Sequence, residues 1–209
     1  MKYIFIILTC FFSFLHSSNI NNTGYWEGKD VEDNHSYDTI LSMGLVEFLK
    51  SENAESVADF GCGLGDYVKA LNAAGIPAEG FDGNPYTPEL SDGYGYVQDL
   101  SLPFTLNRQY DWVISLEVGE HIPYRFETNF IENLVRHGKK GIILSWAIKG
   151  QGGYGHVNCR NNPYIKKKME SYGLVNDVKA EKYLRKNSFF PWFKNTIMVF
   201  RFPIDSKRK

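Results

Sequence analysis

The chain has 209 residues and a formal net charge of -1, enough length for one ordinary domain with a real core and no general electrostatic footprint for nucleic acid. Aromatic residues make up 15% of it, which excludes a disordered chain. Basic charge clusters only at Lys166-Lys167-Lys168 and in the tail Lys207-Arg208-Lys209, where a solvated helix face and a chain terminus account for it.

The chain begins MKYIFIILTCFFSFLHSSN: one lysine, an apolar run from Tyr3 to Leu15, then small and polar residues. That is the order of a secretory signal, with cleavage expected near Ser17 or Ser18. The run is short for a membrane span, which needs about 20 residues, so the alternative is a short hydrophobic anchor or a mis-assigned start. Residues 1–18 are therefore set apart as a leader. It directs the chain to the secretory pathway, secreted or anchored, with a cytoplasmic chain as the alternative. Asn21-Asn22-Thr23 and Asn34-His35-Ser36 are glycosylation sequons, relevant only to a translocated chain. In that case Asn21, farther out, is expected to carry glycan. Asn34, beside the start of the next helix, is expected to stay bare. Cys10 lies in the leader, and Cys62 with Cys159 implies no disulfide framework.

From Tyr37 to Leu49 the apolar residues fall on helical spacing. Ser56 to Phe60 is a short apolar run, a buried strand. Asp66 to Ala74 reads as a helix stopped by Gly75-Ile76-Pro77. Ala78 to Phe81 is a second strand and Tyr96 to Gln98 a weak third. Trp112 to Leu116 is a fourth, followed by a helix over Arg125 to Arg136. Gly141 to Trp146 is a fifth strand, followed by a glycine-rich loop and a helix over Pro163 to Tyr172. Thr196 to Phe202 closes the chain as a strand, and Lys179 to Phe193 shows no clear pattern. Strands alternating with helices predict a parallel α/β sheet covered on both faces.

The stretch VADFGCGLG places Gly61, Gly63 and Gly65 between the first strand and its helix, with Asp59 ending the strand. At that corner side chains would block a nucleotide-like ligand from the backbone, and helix N-terminal amides favour polar or anionic groups. A dinucleotide fingerprint would be G-x-G-x-x-G; here its third position is Asp66. Asp82 ends the second strand about twenty residues on, where a carboxylate can hold two ribose hydroxyls. Asp99 ends the third strand and could take an exocyclic amine.

In this order these residues resemble the class I S-adenosylmethionine-dependent methyltransferases. VADFGCGLG is similar to the family's first motif, GFDGN to its second-strand acid and QDLSLPF to its adenine segment. YDWVISLEVGEHIP resembles its fourth strand and active-site exit, and GKKGIILSWA its fifth strand. The resemblance implies a Rossmann-like, doubly wound sheet of seven strands, mostly parallel with the last antiparallel, over one methyltransferase domain from 19 to 205. It also implies S-adenosyl-L-methionine as cofactor. The binding residues carried over are Asp59, Gly61, Cys62, Gly63 and Gly65, then Asp82, Gly83 and Asn84, then Asp99, Leu100 and Glu117. In similar enzymes the segment before the first strand forms a lid. Here Tyr25 and Trp26 could cover the sulfonium by cation–π contact, and His35 and Asp38 open the lid helix.

Catalytic candidates are Glu117, which follows the fourth strand directly, His121 as a general base near neutral pH, and His156 on the acceptor side. Gly150, Gly152, Gly153 and Gly155 form a loop that could close over a small acceptor. His156 and Cys159 have H-x-x-C spacing but no complete set of four ligands, so no metal site is expected. The acceptor is expected to be a small molecule or an exposed side chain. The N/D-P-P-Y/F cue for nucleobase amines is missing, so no nucleic-acid partner is expected, and membrane association would come only through the leader. The competing readings are a non-catalytic binding protein of the same fold and a nicotinamide-dependent oxidoreductase, which Asp66 disfavours.

Overall fold

A computed structural model describes residues 19–29, 31 and 35–203 of the chain. The leader and Asn34 lie outside the described residues. Among the described residues, no helix is long and apolar enough to cross a membrane.

Seven strands form the main sheet in the order β5 (Gly95–Val97), β4 (Ala78–Asp82), β3 (Val57–Phe60), β6 (Tyr110–Ser115), β7 (Gly138–Leu144), β9 (Met198–Arg201) and β8 (Val175–Asn176). β5, β4, β3, β6 and β7 run parallel, and β9 is antiparallel to both β7 and β8. This is the expected doubly wound sheet with a reversed last strand. The sixth strand in chain order, β8, has only two residues. Lys179 to Phe193, which showed no pattern, belongs mostly to the helices α6 (Val178–Lys186) and α7 (Pro191–Thr196).

Strand periodicity explains the two faces. Val57, Trp112, Ile114, Ile143 and Val199 point to one side, where they meet the helices α1 (Thr39–Ser51), α2 (Asp66–Ala73), α6 and α7. Ala58, Val113, Ile142, Leu144 and Phe200 point to the other, against α4 (Glu127–His137) and α5 (Asn162–Ser171). Both layers are dry: Trp112 and Phe130 are fully buried. A strand buried on both faces reads as a near-continuous apolar run, which is why β6 and β7 stand out in the sequence.

A hairpin of β1 (Asn19–Ile20) and β2 (Trp26–Glu27) precedes α1. Asp38 caps α1: Oδ1 accepts from the amides of Ile40 and Leu41. Its other oxygen accepts from the amides of Phe189 and Phe190, 2.7 and 2.9 Å away. One buried carboxylate therefore ties the start of α1 to the turn before α7. Asp38→Ala orphans all four amides and is expected to lower the unfolding free energy by about 2–4 kcal/mol, with Asp38→Asn costing less than half of that. Urea denaturation of the two variants checks it.

Candidate active site

The strand order reverses between β3 and β6, the point at which open α/β sheets leave a crevice outside the carboxyl ends of their strands. A cavity of about 420 Å³ lies there. The end of β3 and the loop after it contribute Asp59, Gly61 and Cys62; Asp82 ends β4 and Gly83 follows it; Asp99, Leu100 and Ser101 follow β5. Glu117, Val118 and His121 follow β6, and Gln151 to Tyr154 with His156 come from the glycine-rich loop after β7. The acids read from the sequence therefore converge.

Three expected residues do not line the cavity: Gly63, Gly65 and Asn84. The glycines answer to protein neighbours. A Cβ on Gly61 would lie 2.2 Å from Val118, and one on Gly63 would lie 2.2 Å from the His35 ring. Both also have positive φ, 91° and 51°, which side chains disfavour. At these two positions the corner is packed by Val118 and His35, while Gly61 and Cys62 still line the cavity. Asn84 is structural: its side-chain amide donates to the Gly28 carbonyl at 2.7 Å and holds the N-terminal segment down.

The acids at the strand ends differ in how far they are satisfied. Asp82 accepts from the Gly63 and Asn84 amides at 3.1 and 3.0 Å, which fixes its carboxylate and leaves lone pairs on both oxygens. Asp99 accepts from the Ser101 amide at 2.9 Å. Asp59 is 2% exposed, and one of its oxygens has no partner. The Ser101 hydroxyl is also buried and unpartnered. Burial first, and the Asp82 charge second, push Asp59 up to about 8. The site thus presents two orphan polar atoms, one at each end of the acid row, and buried polar groups are ordinarily paired.

Around the other end, Glu117 adopts φ 55°, a conformation that costs a residue with a side chain energy unless its surroundings hold it. Its amide donates to the buried Ser145 hydroxyl at 2.8 Å, and its carboxylate accepts from Gln151 at 2.7 Å and Thr196 at 3.1 Å. His121 differs from the expected near-neutral base. Burial first, and the neighbouring His156 second, lower it to about 4, so its ring is neutral at pH 7 and a weak proton acceptor. His121 Nδ1 lies 3.2 Å from the Gly155 carbonyl and His156 Nδ1 3.3 Å from the Gln151 carbonyl.

The aromatic cover splits in two. Tyr25 lies over Gly83 on the Asp82 side, since a Cβ there would meet its ring at 2.3 Å. Trp26 lies beside His121 and Tyr154, with ring centroids 5.7 and 5.6 Å away. Tyr25 and Trp26 both line the cavity. Thr23 of the first sequon also lines the cavity, so that hairpin is not the remote segment expected. Sequence reading missed Glu120, Ser101 and Gln151. Glu120 is fully buried directly beside His121. The E-x-x-E-H spacing was visible in the chain, but its burial was not.

No protein-family model matches the chain, and no curated protein matches it either. Solved structures do. An S-adenosylmethionine-dependent methyltransferase from Clostridium acetobutylicum superposes with a TM-score of 0.61 at 12% identity, over 83% of this chain and 95% of that one. Magnesium protoporphyrin IX methyltransferase from Synechocystis, with bound SAH, gives 0.59 at 20% identity over 77% and 81%. An amino pentose methyltransferase from Micromonospora echinaspora gives 0.60 at 11% over 77% and 89%. The chain has the fold of the S-adenosylmethionine-dependent methyltransferases.

The buried Asp59 makes a pH signature. Its folded pKa lies above its ordinary value of 3.8, so its contribution to stability is full below about pH 4 and is lost as pH rises toward about 8. Asp59→Asn is expected to raise the melting temperature of the ligand-free protein at pH 8 and to leave it nearly unchanged at pH 4. Differential scanning fluorimetry across that range checks the sign.

Proposed function

We propose that the chain is an S-adenosyl-L-methionine-dependent methyltransferase acting on a small molecule or an exposed side chain. The observation that carries this is the row of acids at successive strand ends, with the unpartnered Asp59 oxygen at one end and the unpartnered Ser101 hydroxyl at the other. The row fits the cofactor in strand order. Asp59, near the end of β3, would receive the ammonium of the methionine part. Asp82, held at the end of β4 by two amides, would receive the ribose hydroxyls. Asp99 and Ser101, after β5, would receive the adenine amine. The sulfonium then falls toward β6, beside Glu117 and His121. The bound SAM and SAH of the Synechocystis structures support the same use of the fold.

When bound, the cofactor supplies an electrophilic methyl group. The protein's part is alignment and exclusion of water. Glu117, clamped by Gln151 and Thr196, shapes the wall beside the reacting centre. Trp26, Tyr154 and the N-terminal hairpin cover it. The Met1–Ser18 leader supports delivery to the secretory pathway, secreted or anchored, and a full chain recovered only from the cytosol would overturn that part.

Calorimetry is expected to show S-adenosylmethionine binding in the micromolar range, about 8 kcal/mol, with no heat from NAD. Asp82→Ala is expected to weaken that binding by about 1–3 kcal/mol while the protein stays folded. Saturable NAD binding without any response to S-adenosylmethionine would overturn the assignment.

A further inference from the structure

Glu120, His121 and His156 bring one donor atom each to within 4.8 Å of one another. Glu120 is 0% exposed, and neither of its carboxylate oxygens has a hydrogen-bond partner. His156 Nε2 stands 4.0 Å from Glu120 Oε1, too far for a hydrogen bond. The two rings are oriented from behind. A carbonyl can only accept, so the Nδ1 of His121 and that of His156 are the donors to Gly155 and Gln151. With Nδ1 turned to a carbonyl, Nε2 is the atom that each ring can offer to a cation. Metal-binding histidines are held in this way, with the other ring nitrogen donating to a carbonyl. The His156 ring packs directly against Gly153, where a Cβ would lie 2.2 Å from Nε2.

We propose that Glu120, His121 and His156 bind one divalent first-row transition cation. Two imidazoles and one carboxylate suit zinc, iron or cobalt, whereas magnesium and calcium favour all-oxygen sites. At bond lengths of about 2.1 Å, neighbouring donors stand about 3.0–3.4 Å apart, so modest side-chain rotation closes the cluster on the ion. The Glu117 carboxylate is committed to Gln151 and Thr196. Three protein ligands leave coordination positions open, and both histidines line the cavity, so those positions face the acceptor. Resting on the methyltransferase reading, they take the oxygen of a hydroxyl-bearing acceptor. Its proton leaves to solvent, and the oxygen forms a bond to the methyl carbon. The carbon–sulfur pair stays on sulfur, giving a methyl ether and the neutral thioether. His121 and His156 are then ligands instead of bases.

The test uses chelator-stripped full chain, titrated with Co2+ by visible absorption and with Zn2+ by equilibrium dialysis. One ion per chain is expected. Glu120→Gln and His156→Ala, each checked by near-ultraviolet circular dichroism for native folding, are expected to weaken it at least about tenfold. Cys159→Ser is expected to change nothing, and no thiolate-to-cobalt band should appear. No saturable binding, binding that survives both substitutions, or binding lost in Cys159→Ser would overturn the proposal. S-adenosylhomocysteine affinity, measured separately by calorimetry, keeps the two readings apart. Metal bound by a chain without that affinity leaves the site and removes its use in methyl transfer, while cofactor bound without metal removes only the site.

Discussion

The rest of the structure depends on the reversal of strand order between β3 and β6. Two parallel strands pair edge to edge there, yet the chain leaves them toward opposite sides of the sheet. Their exits separate and cannot fill the space between them. Of the polar residues that line the cavity, Asp59 on β3 and Glu117 and His121 after β6 flank this gap, while Asp82, Asp99 and His156 reach it from neighbouring strand ends. Asp59 is buried because it lies within a strand covered on both faces. One of its oxygens has no protein partner there.

The crevice is roofed by segments that lie far apart in sequence and hold on by few contacts. The N-terminal hairpin is fastened by Asn84 to Gly28 and by Arg125 to the Asn22 carbonyl, at 2.7 and 2.9 Å. His35 rests on Gly63, and its Nδ1 meets the Val31 carbonyl at 2.8 Å. Segments joined by a handful of polar contacts open locally at far lower cost than the core. A ligand can therefore enter without disturbing the sheet, while the Asp38 carboxylate keeps α1 fixed beneath the moving part.

The fold was legible where one residue type had one reason to be there. β3, β6 and β7 are apolar runs because both their faces are covered, and Gly75 after α2 has φ 81° as a helix stop requires. β8 was illegible because two residues carry no periodicity; its place is set by pairing with β9. At the site, the acids were legible from their positions at strand ends. The glycines were found, but their reason was not. Val118 and His35, which crowd Gly61 and Gly63, stand 57 residues after the one and 28 before the other. Glu120 looked like an ordinary turn acid because only tertiary contacts bury it.

β9 is inserted between β7 and β8, and this has a consequence for biosynthesis. The ribosome delivers β7 and β8 first, and they have no direct pairing with each other. Until residues 198–201 emerge, the sheet ends at β7 with an unpaired edge, and β8 has nothing to bind. Thr196, which anchors Glu117, arrives in the same last stretch. The acid row after β3, β4 and β5 can be complete on the nascent chain, but the wall beside Glu117 cannot. The chain thus acquires the two halves of its crevice in sequence, and a molecule truncated before β9 would carry an exposed strand edge of the kind that aggregates.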